Sequence, residues 1–463
     1  MESLEEKCAV FGIYGKGMDV SRLTFFGLYA LQHRGQESSG IASTDGKEIY
    51  CHKDVGLVSQ VFNEEIIKKL PGFIAVGHNR YSTSSGTGIE FVHPIEVVDH
   101  SLTLVHNGNL PSVTLLLDFL SEKKVTISPQ ASDSMIVTEA IYTLTKEGKD
   151  LQSAVEEIFP LLTGSFSILV MNKEKLVAIR DAYGVRPLSI GKLDGGFVFA
   201  SETCAFHPIG AEHIRDVLPG EMVVVDEMGL RSKQIMKGNQ KLDIFEFVYF
   251  SRPDSDLLGK SVYEVRKNFG IELAKENNID ADVVIPVPET AIPVAIGYAN
   301  ASNIPFEMGI IKSRYIHRTF IEPEQHIREQ GVKLKLAPLK EVIFGKRVVV
   351  VDDSLVRGTT SRQIVKMLFE AGAKEVHFLV SSPPVRYPDF YGIDLPRQSD
   401  LLAFSKTVEE MNTYLGSTSL SFLSYEGMIS ATGLPESLFC TSCFNGVYPI
   451  DLMEKQKEVL YLK

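Results

Sequence analysis

Residues 347 to 360 read Arg-Val-Val-Val-Val-Asp-Asp-Ser-Leu-Val-Arg-Gly-Thr-Thr, and the valine run admits few folds. Consecutive branched apolar side chains cannot alternate between core and water. Their strand must be covered on both faces, as in a parallel sheet with helices on each side. Asp352 and Asp353 follow at the strand's carboxyl end, where open α/β sheets hold ligands. A short turn then leads into a helical pattern with apolar Ile364, Val365, Leu368 and Ala371, stopped by Gly372. Backbone amides at a helix start attract an anion, and Gly358, Thr359 and Thr360 add small side chains and hydroxyls that suit a phosphate. The Asp pair suits ribose hydroxyls or a hard cation such as Mg²⁺. Taken singly, these are an ordinary buried strand, polar turn and capped helix; their order along the chain points to a phosphate site.

At 463 residues the chain exceeds one ordinary core, so two or three domains are expected. A hydrophobic content of 44% is ample for burial. The net charge of -12 disfavours a nucleic-acid partner. Five cysteines do not make a disulfide framework in so long a chain, which points to a reducing compartment. Met-Glu-Ser-Leu-Glu-Glu-Lys at the N-terminus lacks the apolar region of a secretory signal. No apolar run of about 18 residues occurs, so no membrane span is expected, and the reading is a soluble cytoplasmic protein.

The two halves are patterned differently. Residues 8 to about 228 alternate short strands (9–14, 73–80, 102–106, 166–172, 196–200) with helical patterns near 19–33 and 132–146, and Asp45-Gly46 marks a hairpin turn. This predicts a layered α+β domain. The polar stretch 231–241 is the boundary candidate. Beyond it, strands at 283–287, 348–351 and 376–380 alternate with helices, as an α/β parallel-sheet domain requires. Gly259-Lys260-Ser261 imitates the end of an ATP-binding loop, but residue 254, where that motif needs its first glycine, is Asp.

Cys8 stands before the apolar run Ala9-Val10-Phe11-Gly12-Ile13, where a cysteine is commonly a small buried hydrophobe. Its context argues otherwise. Downstream lie Leu31-Gln-His-Arg-Gly-Gln-Glu-Ser-Ser-Gly40, Gly77-His-Asn-Arg-Tyr-Ser-Thr83 and His106-Asn-Gly-Asn109, the last two of which end apolar strands with polar groups.

These blocks resemble the glutaminase domain of the N-terminal nucleophile (Ntn) amidotransferases, and residues 347–360 resemble the phosphoribosyl-pyrophosphate (PRPP) loop of the type I phosphoribosyltransferases. The first resemblance implies that Met1–Lys7 is a propeptide and that Cys8, once N-terminal, uses its own α-amine as base to attack glutamine. It assigns the oxyanion hole to Asn107 and Gly108, the glutamine carboxylate to Arg80 and its amino group to Asp133. The second assigns ribose and metal to Asp352 and Asp353, and the phosphate nest to Arg357, Gly358, Thr359 and Thr360.

One family joins these two domains, the glutamine-dependent PRPP amidotransferases, and the likeness runs over nearly the whole chain. It includes Phe250-Ser-Arg-Pro-Asp-Ser255, Pro286-Val-Pro-Glu-Thr290 and Arg314-Tyr-Ile-His-Arg-Thr-Phe-Ile321. The resemblance implies a propeptide at 1–7, a glutaminase domain at 8–235 and a phosphoribosyltransferase domain at 236–463. It also implies Mg²⁺ held by Thr290, Asp352 and Asp353, and a lid at 312–335 carrying Arg318, Arg328, Lys333 and Lys335. PRPP and glutamine are the implied substrates of the first step of purine synthesis, with purine nucleotides as feedback inhibitors and a homotetramer as the assembly. Some relatives carry a [4Fe–4S] cluster on four cysteines. Here Cys440 and Cys443 keep one pair, but Asp243 and Asp389 stand at the other two positions, so the cluster is expected to be absent, the alternatives being iron with carboxylate ligands or another metal on the two Cys and two Asp. The alternative is a PRPP-sensing regulator that kept the fold without the chemistry. It would be expected to lose Cys8 or the lid residues, and all are present.

Overall fold

The computed structural model describes residues 8–81, 88–313, 335–391 and 397–453. The expected propeptide lies outside the described residues, as do Arg318, Arg328 and Lys333 of the expected lid.

In the N-terminal half two antiparallel sheets, one of seven strands and one of six, lie face to face. In the first, the strand Cys8–Gly15 sits between Ile74–Arg80 and Gly196–Ala200. Its side chains explain the layers. Val10 and Tyr14 pack against Val105, Leu169 and Met171 of the second sheet. Ala9, Phe11 and Ile13 turn to the other face, under the helix Val20–Ala30. The outer face of the second sheet is covered by the helices Asp133–Lys146 and Leu151–Ile158, which bury Ile141, Val155, Phe166 and Ile168. The order is helix, sheet, sheet, helix. A strand in such a sandwich is buried on both sides, so residues 9–14 show no polar alternation.

The predicted strand at 102–106 is longer than its apolar run. It continues through His106, Asn107 and Gly108 to Ser112, with Gly108 still opposite Phe166. Backbone pairing does not require apolar side chains, so hydropathy ended the strand too early. The Asp45-Gly46 turn joins Ser38–Thr44 to Ile49–Val55, as expected.

In the C-terminal half four parallel strands run in the order Val283–Pro286, Arg347–Asp352, Glu375–Val380, Ser419–Phe422. The valine run divides between two cores. Val349 and Val351 face the helices Val262–Glu276 and Ile292–Ser302, while Val348 and Val350 face Thr359–Glu370 and Val408–Leu415. All four are fully buried. Each stabilises the sheet by about 1.5 kcal/mol or more relative to an exposed position.

The expected boundary stretch is not a free tether. Its first residues complete the strand Gly229–Gln234, and Asn239 and Lys241 donate backbone hydrogen bonds to Ala182 and Tyr183 at 2.8 and 2.6 Å. Ser261 of the decoy ATP-binding motif caps the helix Val262–Glu276 by accepting from the Glu264 amide.

Candidate active sites

The first site lies at one end of the paired sheets. Cys8 opens its strand directly opposite Arg80, which also faces Ser38 on its other side. Asn107 is almost fully buried, and its Nδ2 donates to Ser201 Oγ at 3.4 Å. The same oxygen accepts from the Val10 amide at 3.0 Å, two residues from Cys8, so Asn107 is tethered to the strand that carries the thiol. Gly108 has φ +150°, and a Cβ there would lie 2.0 Å from the Ser165 carbonyl oxygen. Only glycine lets the chain pass so close.

Asp133 begins its helix, and its Oδ2 accepts from the Leu110 amide at 3.2 Å, just past Asn107 and Gly108. Its Oδ1 accepts from the Ser134 amide at 2.7 Å, and Ser134 Oγ lies 3.0 Å from His106 Nδ1. His106 is one of three buried imidazoles that sequence reasoning passed over. The His78 and His93 rings lie with centroids 4.2 Å apart, tilted by 32°, and His93 Nδ1 accepts from the His106 amide at 3.3 Å. Burial pushes His78 down to about 3 and holds His93 and His106 below the usual range, so the group is neutral. No local pattern marks such a cluster, because it forms only when strands 74–80 and 102–112 meet the bend that carries His93.

The second site is a cavity of about 140 Å³ at the carboxyl ends of the parallel strands. Thr290, Asp352, Asp353, Arg357, Gly358, Thr360 and Lys335 line it, so most of the expected residues converge. Thr359 does not: it is exposed and lends no lining side chain, and Ser361 stands in its place. At the first turn of a helix successive side chains point about 100° apart, so one of three neighbours must turn away. Tyr249 and Lys312 also line the cavity and were not singled out. Tyr249 sits in an aromatic run that reads simply as core.

Gly358 has φ +76° and caps Thr359–Glu370, which leaves the first-turn amides free for an anion. Asp352 is pushed well up by burial and by Asp353 beside it. Asp353 is pushed up to about 6 by burial, against the pull of Ser354 and Arg266. Two buried carboxylates side by side make a place that favours added positive charge. A larger depression of about 660 Å³ lies elsewhere, around Ser421, Tyr425 and Arg386, and holds none of the expected residues.

A model of the glutamine amidotransferase domain matches residues 90–208, and a model of the phosphoribosyl transferase domain matches residues 259–383. A Synechocystis amidophosphoribosyltransferase is 47% identical over 465 residues, spanning 98% of this chain and 94% of the relative. The Bacillus subtilis amidophosphoribosyltransferase is 44% identical over 464 residues, spanning 98% of this chain and 96% of its own. The chain belongs to the amidophosphoribosyltransferase family. A solved structure of the Bacillus subtilis glutamine PRPP amidotransferase, complexed with ADP and GMP, superposes with a TM-score of 0.89 at 43% identity. The match covers 96% of this chain and 98% of that one. The fold is therefore the Ntn glutaminase architecture followed by the parallel-sheet phosphoribosyltransferase.

Against the metals of the amidophosphoribosyltransferase family the two donor sets differ. Asp352, Asp353 and the Thr290 hydroxyl fit Mg²⁺, which is commonly held by one or two carboxylates, waters and substrate oxygens. Among the described residues no three His, Cys, Asp or Glu side chains are placed to enclose a metal by themselves. The second set, Asp243, Asp389, Cys440 and Cys443, is buried and drawn together from three separate segments. Burial raises the Cys440 thiol to about 12 and Cys443 well above its usual value, the carboxylates nearby adding to both shifts. Burial and Asp389 also push Asp243 up to about 8, although Arg186 Nη1 lies 3.6 Å away. Two thiols and two carboxylates are not the four thiolates that normally hold a four-iron cluster.

Proposed function

We propose that this chain makes 5-phosphoribosylamine, glutamate and pyrophosphate from PRPP, glutamine and water, the entry reaction of purine synthesis. The observation that carries the reading is the pairing, in one chain, of a strand-opening thiol, its strand tethered through Ser201 to Asn107, with an Asp-Asp cavity at a helix start.

In this reading residues 1–7 are removed and the Cys8 α-amine takes the thiol proton. The thiolate attacks the side-chain amide carbon of glutamine. Asn107 Nδ2 and the Gly108 amide hold the oxyanion, Arg80 the substrate carboxylate and Asp133 its amino group. Ammonia departs, and water cleaves the glutamyl thioester to glutamate. In the second site Asp352 and Asp353 orient the ribose, while Arg357, Gly358, Thr360 and the helix amides hold the 5-phosphate. Ammonia attacks the anomeric carbon as pyrophosphate leaves. A bound Mg²⁺, held by Thr290 and the Asp pair, would offset the charge of the leaving pyrophosphate. The 312–335 segment is the proposed lid, of which Lys335 already lines the cavity. Excluding water there protects both PRPP and ammonia.

The division at residue 235 belongs to this proposal and is supported by the strand that ends at Gln234. So do purine nucleotide inhibitors, a homotetramer and a cytoplasmic location. Among the described residues no helix is long and apolar enough to cross a membrane. The test is a coupled assay: glutamate should appear with pyrophosphate, one for one, only when PRPP is present. Glutamine hydrolysis with no PRPP consumption would defeat the reading.

A further inference from the structure

Resting on the reading of Cys8 as a glutaminase nucleophile, we propose that Glu246, from the phosphoribosyltransferase half, is a positioning residue for the glutaminase site. Glu246 opens the π-helical turn Glu246–Phe250 and is fully buried. Its Oε2 accepts from Arg34 Nη2 and from Ser251 Oγ, the latter at 2.6 Å, while Oε1 faces Arg186 Nη1 at 3.3 Å. Arg34 and Arg186 both come from the N-terminal half and are themselves fully buried.

The contacts continue toward the thiol. Arg34 Nε donates to Glu202 Oε1. Glu202 Oε2 accepts from the Arg252 amide at 2.8 Å and from Ser255 Oγ at 2.6 Å. Burial opposes the Glu202 charge, but Arg34 and His33 beside it hold the carboxyl well below its usual value. Glu202 is bonded in sequence to Ser201. Ser201 Oγ accepts from Val10 and Asn107, and its amide donates to the Val10 carbonyl at 3.1 Å. Glu246 is thus joined through Arg34, Glu202 and Ser201 to the Cys8 strand and to the oxyanion side chain.

A buried guanidinium between two carboxylates is held by both. When one loses its charge, the cation turns toward the other, and Glu202 carries Ser201 with it. The same turn is anchored by Arg266, which donates to the Phe247 and Ser251 carbonyls, both at 2.8 Å, and feels the charge of Asp353.

The test uses full-length protein with Glu246→Gln, Glu246→Asp and Ser251→Ala, none of which alters a residue of either site. Glutamine hydrolysis, ammonia-dependent phosphoribosylamine synthesis and thermal melting are measured for each. For Glu246→Gln, kcat with glutamine should fall roughly ten- to a hundredfold, with KM for glutamine and ammonia-dependent synthesis within about twofold of the parent. Glu246→Asp should recover part of the loss, and Ser251→Ala should lose less in the same direction. Unchanged glutamine hydrolysis in folded variants, or a parallel loss of both activities tracking melting temperature, would overturn the proposal. A Cys8→Ala control separates the two failures: if it still uses glutamine, the reading of Cys8 itself is wrong.

Discussion

Asp353→Asn should make the ligand-free protein more stable at pH 8 while removing its activity. Burial raises the Asp353 carboxyl from an ordinary 3.8 to about 6, so the folded state holds this proton more tightly than the unfolded state. The group's contribution to stability is present at low pH, declines as pH rises from about 4 to about 6, and stays lost above that. A gap of about two pH units is worth about 3 kcal/mol at about 1.36 kcal/mol per unit. Asparagine has nearly the same shape and no charge to desolvate, but it deprives the buried Arg266 of a compensating carboxylate. The net gain is therefore about 1–2 kcal/mol at pH 8, which corresponds to a melting temperature of the C-terminal domain, a unit of roughly 230 residues, higher by roughly 2–8 °C. At pH 4 the wild-type carboxyl is protonated and the gain should vanish. The assay is thermal melting of both proteins across this range, without ligand and then with PRPP and Mg²⁺. Ligand should stabilise the wild type strongly and the variant little. A lower melting temperature for the variant at pH 8, or a difference independent of pH, would refute the argument that the site stores unfavourable charge for its substrate.

Cys8→Ala should abolish glutamine-dependent synthesis yet leave synthesis from ammonia at high pH, since the second site needs only ammonia; loss of both in a folded protein would contradict the two-site assignment. Active protein should begin at Cys8, and an intact mass that retains Met1–Lys7 at full activity would remove the α-amine mechanism. Protein purified without oxygen should be colourless and lack stoichiometric iron and sulfide; about four irons per chain would show Asp243 and Asp389 acting as ligands. Gly358→Ala should raise KM for PRPP by roughly tenfold, because φ of +76° is strained for alanine and its Cβ would meet Leu402 at 2.8 Å; an unchanged KM would exclude this turn from the phosphate site.

What the chain alone determined is what local rules reach. The valine run, the Asp pair, the glycine turn and the helix after it are contiguous, so one stretch of sequence carries strand, ligand position and anion site together. The glutaminase strands were legible for the same reason, although hydropathy lost the strand at His106 and adjacent hydroxyls could not say that Ser361 rather than Thr359 lines the cavity. Tertiary structure decided the rest. Arg34 meets Glu246 across 212 positions, and Glu202 meets Arg252 across 50. Asp243 comes beside Cys440 only through the short parallel pairing of Leu242–Asp243 with Phe439–Cys440. In sequence each charge is of the kind usually found at the surface, and the thiol reads as a small buried hydrophobe. Burial and partners create their chemistry, and both arise from contacts between distant segments that no local periodicity encodes.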